Sequence, residues 1–384
     1  MESKRTARQS GFELVRIIAM FLIVANHLAN HGIFKVTSED IYALWPEMSP
    51  FNQAAGALIS CGGRIGVAVF FMLTGYFMVE RDKLSPKSAV NFLWRVHFFA
   101  AAMFAIVVIL RAATGLGADI NMPLAARKSF CTPLTIWWFA LAYFVLLFLA
   151  PSINIFVRSM RGRGAVFLLI LYLWYFFYLG GNVSSSYDDY IKAIFFYLIG
   201  AFVRIMETKP SGTIQAHADP AESSLQHFSA SAAGLAVHTI LFLCAFLVSG
   251  YLMYDVIQDM TGGTSVLGNI LIWTPEEFIN NVMIPVDGLL LLLIGRIRFS
   301  SRIVNYIASC TFGVYLIHEY AFTRKILWHD LLRADTIQYK SRFFILYAFL
   351  DVAVIFLAGI LLETIRIKIG TLFQRKLNQK NRPL

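Results

Sequence analysis

The chain has 384 residues, of which 58% are hydrophobic and only 15% charged, and its formal charge is +10. A soluble domain carries about 25% charged residues to cover its surface. This composition, with 34 Phe, 16 Tyr and 7 Trp, therefore excludes a water-covered globule and points to a polytopic membrane protein. In such a protein the basic excess marks cytoplasmic loops, not a nucleic-acid partner.

About 20 apolar residues are needed to cross a ~30 Å hydrocarbon core as a helix. In chain order that ruler predicts an all-α bundle of about ten transmembrane helices, near 12–33, 56–79, 90–113, 134–151, 165–181, 191–206, 232–254, 278–295, 303–322 and 343–365. The first apolar run is read as a retained span and not a cleaved leader, because Arg16 interrupts it and no small-x-small cleavage site follows. The stretch VLGNILIW (266–273) is too short to cross and is either re-entrant or interfacial. Residues 207–230, rich in Ser, Ala and Pro, form a cytoplasmic loop, and 366–384 a basic cytoplasmic tail, of a single integral-membrane domain. With both termini cytoplasmic, about two-thirds of the 33 Lys and Arg fall on the inner side. The acidic pairs Asp188-Asp189 and Glu276-Glu277 then lie outside.

Ionisable groups at membrane depth cost about 2.5–3.5 kcal/mol each on insertion scales and usually face a protein interior or a wet cavity. The first span reads RIIAMFLIVANH from Arg16 to His27. Eleven residues at 100° return to within about 20° of the starting angle, so Arg16 and His27 share a face, about 16 Å apart along the axis. Under the predicted topology Arg64, Asp287, His318, Glu319 and Asp351 lie in the outer half, while Arg95 and His97 sit at the inner end of the third span beside Arg81, Lys83 and Lys87. This separates a cationic inner zone, suited to phosphates, from an outer zone of histidines, carboxylates and Arg64, suited to proton transfer at a hydroxyl.

Plainer roles compete with these. Arg16 could snorkel to the inner interface. His27 and His31 have the i, i+4 spacing of two helix-borne metal ligands, but no third ligand is evident nearby, so no metal is predicted. Packed, hydrogen-bonded histidines are the ordinary alternative. Asp351 is expected to tie helices together, and His97 and His238 to be structural. Cys61, Cys131, Cys244 and Cys310 show no pairing pattern, and neither a disulfide nor a metal site is expected from them.

RIIAMFLIVANH resembles the Arg-x10-His signature on the first span of the acyltransferase-3 family, membrane-bound O-acyltransferases that modify glycans. RIGVAVFFMLTGYFM (64–78) is similar to the family's Gly-Val-x-x-Phe-Phe-x-x-Ser-Gly segment, and TIWWFALAYFVLLFLAP (135–151) to its Trp-containing fourth span. FFYLIGAFVR (195–204) and SCTFGVYLIHEY (309–320) resemble its sixth span and its Tyr-Leu-x-His segment. The matches run in order over some 300 residues. Thr74 stands for the usual serine, Ala68 for a common Pro or Asp, and FLWR (92–95) keeps only Arg95 of an Arg-x-x-Arg pair. The expectation is also of a transferase without the extracytoplasmic SGNH-type domain that some relatives append.

The resemblance implies transfer of an acyl group, usually acetyl, from cytoplasmic acyl-CoA to a sugar hydroxyl of a surface polysaccharide or its lipid-linked precursor. Acetyl-CoA is then the co-substrate, the bilayer and the glycan the partners, and the inner or plasma membrane the location. Arg16 and Arg95 would hold the anionic donor, and His27 would act as general base. Arg64 would stabilise the oxyanion or orient the donor carbonyl, with His318 and Glu319 positioning the sugar or supporting the base. A covalent acyl-histidine route also stays open. The rival classes are a transporter or flippase of a lipid-linked sugar, against which no inverted repeat is visible, and a glycan polymerase or ligase, which would need a larger outer loop.

Overall fold

In the computed structural model, residues 9–36, 40–175, 185–207, 231–268 and 273–380 are described. The expected loop 207–230, the middle of the short apolar stretch 266–273 and the end of the span near 165–181 lie outside those residues. Among them the secondary structure is helical, in ten principal elements: α1 Gly11–His27, α2 Pro50–Met78, α3 Pro86–Thr114, α4 Met122–Cys131, α5 Trp138–Trp174, α6 Ser185–Glu207, α7 Ala232–Met260, α8 Pro275–Ile294, α9 Arg302–His318 and α10 Phe344–Lys380.

Local chemistry sets the helix starts. Ser49, Ser85, Asn121, Ser231 and Ser301 each accept a backbone N–H from the first turn of α2, α3, α4, α7 and α9. Thr274 and Glu277 close a reciprocal capping box on α8. Proline at the first turn of α2, α3 and α8 removes an N–H that would have no helical partner.

Among the described residues, seven helical stretches are long and apolar enough to cross a membrane alone: Gly11–Ile33, Pro50–Met78, Pro86–Thr114, Trp138–Met160, Ala232–Met260, Pro275–Ile294 and Phe344–Leu372. The other three expected spans fall on pieces that do not meet that measure. α9 has 17 residues, about 25 Å of helix against a core of ~30 Å. α6 carries Asp188, Asp189 and Lys192 near its start. The third piece is the second half of α5, where one helical run covers the two expected spans 134–151 and 165–181. It is not straight. The rings of Phe156 and Phe167 pack 6.1 Å apart, whereas eleven residues of straight helix would separate them by about 16 Å. The chain doubles back between them, and Tyr172 returns to donate its hydroxyl to the Asn281 carbonyl at 2.7 Å.

α1 lies at the centre, packed against α2, α8, α9 and α10. Its approach to α2 depends on glycines: a Cβ at Gly63 would overlap the Asn26 side chain, and one at Gly66 the Ala19 carbonyl. α2 crosses α6 as closely, with Gly75 against the Tyr197 carbonyl and Gly200 against that of Met72. Buried polar ties lock the bundle. The Asn154 amide donates to the Met78 and Arg81 carbonyls at 2.7 and 2.8 Å, and its oxygen accepts from the Tyr197 hydroxyl at 2.6 Å. At the N-terminal end of α1, the Ser10 hydroxyl donates to Asn305 at 2.9 Å and accepts the Ser301 N–H at 2.8 Å. Asp351 accepts from Gln338 at 2.7 Å, tying α10 to the turn Ala334–Gln338. This is the structural role expected of it.

Candidate active site

Where α1 ends at His27, the helix widens into a π-helical turn, Leu28–Ile33. Such insertions are frequent at functional sites. Here the turn brings two histidines four residues apart within reach of one carboxylate oxygen. His27 Nδ1 lies 3.2 Å and His31 Nε2 3.4 Å from Glu319 Oε1. α9 delivers that carboxylate just past its last residue, and with it His318, whose Nε2 is 2.9 Å from His27 Nδ1. Thus His27, His318 and Glu319, 291 and more positions apart in sequence, meet in one cluster.

The cluster's bonds order its protons. His318 is fully buried, and its Nδ1 is 2.7 Å from the Val314 carbonyl, which can only accept. In the neutral ring that leaves Nε2 as an acceptor, so the 2.9 Å contact is filled by a proton on His27 Nδ1. Nε2 of His27 is then the unprotonated nitrogen. On the far side, Arg324 donates to Glu319 Oε2 at 2.8 Å and offsets the buried carboxylate's charge.

His27 borders a cavity of about 380 Å³, whose wall also holds Asn26, Arg64, Trp138, Lys192 and Asn280. Arg64 reaches this wall, but its side chain is 48% exposed, donating to Asn280 at 2.5 Å and standing 3.6 Å from Glu276. It is a rim residue of the cavity. The reason is the pair of glycines before it: Gly62 and Gly63 face α1, which turns Arg64 away from the α1 contact.

A second cavity of about 370 Å³ lies toward the N-terminal end of α1, lined by Arg16, Arg95, Thr74, Tyr143 and Phe312 among others. Arg16 and Arg95 therefore line one cavity. Each already has an anionic partner: Arg16 pairs with Glu13 at 2.6 Å and Arg95 with Glu363 at 3.1 Å. Arg95 also donates to the Ser309 carbonyl at 2.9 Å. Between the two cavities, Phe139 and Tyr315 pack ring to ring at 5.3 Å, and Tyr315 lies edge-on to His318.

Sequence reasoning missed Glu363, Arg324, Asn26, Asn280 and Trp138. Glu363 was within reach of the rule that picked out Asp287 and Asp351, an ionisable residue in an apolar span. Asn26 and Asn280 carry no charge and Arg324 sits in a connection, so nothing local distinguishes them.

The histidine–carboxylate cluster thus lies at the edge of a cavity within an all-helical, multi-pass membrane protein. The acyltransferase-3 family model, described as an acyltransferase domain, matches residues 9–367. The chain belongs to that family over nearly its whole length and is a membrane acyltransferase. No curated protein and no solved structure matches it.

Proposed function

We propose that the chain transfers an acyl group, acetyl in the simplest case, from acyl-CoA to a sugar hydroxyl of a surface polysaccharide or its lipid-linked precursor. The observation that carries this reading is the His27–His318–Glu319 cluster facing a polar cavity, in a chain of this family. The second, cationic cavity along the same helix supports an anionic donor entering from the opposite end.

His27 Nε2 accepts the proton of the sugar hydroxyl as its oxygen attacks the acyl carbonyl. His318 and Glu319 hold the ring in the tautomer that keeps this nitrogen free, and the carboxylate stabilises the imidazolium that forms. Arg64 meets the negative charge developing on the carbonyl oxygen. Collapse of the tetrahedral adduct breaks the carbon–sulfur bond, and the proton held by His27 is returned to the leaving thiolate. Arg16 and Arg95 hold the donor's phosphates, sharing charge with Glu13 and Glu363. On this reading the N-terminal end of α1 faces the cytoplasm, and the protein resides in the inner or plasma membrane.

The test is mass spectrometry of the host's surface glycan, with and without mild base, in wild type, a deletion strain and His27→Ala at matched membrane abundance. Base-labile acyl groups present only in wild type are the expected result. Unchanged acylation in the deletion strain with reduced glycan export would instead make the cavities part of a transport path.

A further inference from the structure

We propose that His27 Nδ1, His318 Nε2 and Glu319 form a binding site for one divalent transition cation of zinc-like chemistry, and that its occupancy switches His27 off. The site itself stands on geometry; the switch rests on the role of His27 proposed above.

The sequence offered two histidines without a third ligand. Folding assembles a different set, with His27 on α1 and both His318 and Glu319 from the end of α9: three ligand atoms, one from each, all lie within 4.8 Å of one another. Two of the separations are 2.9 and 3.2 Å. Ligands about 2.0–2.1 Å from a tetrahedral zinc stand roughly 3.3 Å apart, so the cage needs only a slight opening to admit the ion. Two imidazoles and a carboxylate form a donor set for a borderline cation, whereas magnesium and calcium require oxygen.

The surroundings are those of a ligand set held in place. A metal-bound histidine characteristically donates its other nitrogen to a carbonyl or carboxylate, and His318 Nδ1 does so to Val314. Glu319 Oε2 accepts from Arg324 at 2.8 Å, and His31 Nε2 stands 3.4 Å from its Oε1. His27 borders the 380 Å³ cavity, through which an ion can approach the cluster. Arg324 opposes the cation's charge, so the site exchanges its metal instead of locking it.

Binding changes the tautomer. Without the cation, His27 carries its proton on Nδ1 and offers Nε2 as a base. With the cation on Nδ1, the ring's single proton must reside on Nε2, which becomes a donor. No proton is gained or lost by the ring, yet the atom that accepts the hydroxyl proton is blocked.

The experiment is a Co²⁺ titration of the full chain in detergent, read by visible absorption. Expected is one equivalent with the intense d–d bands of a four-coordinate site, displaced by Zn²⁺. His318→Gln and Glu319→Gln should each weaken binding at least about tenfold. Two substitutions at different ligands guard against one failing to fold, and each is scored only if its unfolding remains cooperative. Absence of saturable binding by wild type, or binding unchanged in both ligand variants, overturns the site. A parallel assay of acylation, with Zn²⁺ and then with chelator, reads the switch. Loss reversed by the chelator supports it, while cobalt binding without zinc inhibition overturns the switch and removes His27 Nε2 from the chemistry.

Discussion

Glu363→Gln tests whether Arg95 is held by its partner or keeps its charge for a ligand. The Glu363 side chain is 2% exposed and takes Arg95 at 3.1 Å and Arg366 through two hydrogen bonds of 2.9 and 2.6 Å. Removing one member of a buried ion pair costs about 3–5 kcal/mol, because the other charge is left uncompensated. Both guanidiniums keep about a fifth of their surface exposed, 20% for Arg95 and 19% for Arg366. Partial solvation places the loss at the lower end, about 3 kcal/mol. A domain of 150–250 residues shifts by roughly 2–4 °C per kcal/mol, and a longer chain by less, so the expected fall in unfolding temperature is about 5 °C. Tryptophan fluorescence of the detergent-purified protein at a fixed scan rate reads it. The double variant Arg95→Met with Glu363→Gln should lose clearly less than the two single losses combined. If Glu363→Gln instead unfolds within about 1 °C of wild type, Glu363 is not what compensates Arg95, and the reasoning fails.

Four further substitutions test the packing and the cavity rim. Asn154→Ala strands the Arg81 carbonyl and the Tyr197 hydroxyl, while the Met78 carbonyl keeps the Arg81 N–H; at about 1–3 kcal/mol for a buried polar group left unpaired, membrane abundance and unfolding temperature should both drop, and wild-type values for both would count against the tie. Gly200→Ala forces a methyl into the Met72 carbonyl and should cost about 1–3 kcal/mol or more. Gly370→Ala, with nothing within 4 Å of the new carbon, should be neutral or stabilising by up to ~1 kcal/mol in the same melting assay. Arg64→Ala removes an exposed ion pair worth under about 1 kcal/mol, so its unfolding temperature should match wild type while the acylation rate falls about a hundredfold. Retained rate would take Arg64 out of the transition state.

The helical, membrane-embedded character of this protein is written in its sequence, because apolar length and the scarcity of charge are local properties that a bilayer reads directly. So is the shared face of Arg16 and His27, which follows from the helical repeat alone. Tertiary structure decided which distant groups those residues meet. Nothing in the order of residues says that α9 ends beside α1, yet that contact joins His318 and Glu319 to His27, fixes its tautomer and completes a three-ligand cage. The doubling back within α5 is likewise visible only from Phe156 meeting Phe167. Arg64 owes its place to packing in the same way: the tight glycine approach of α1 to α2 turns it to the rim of the cavity. Periodicity orients a side chain on its own helix, while its partners are set by how the helices pack.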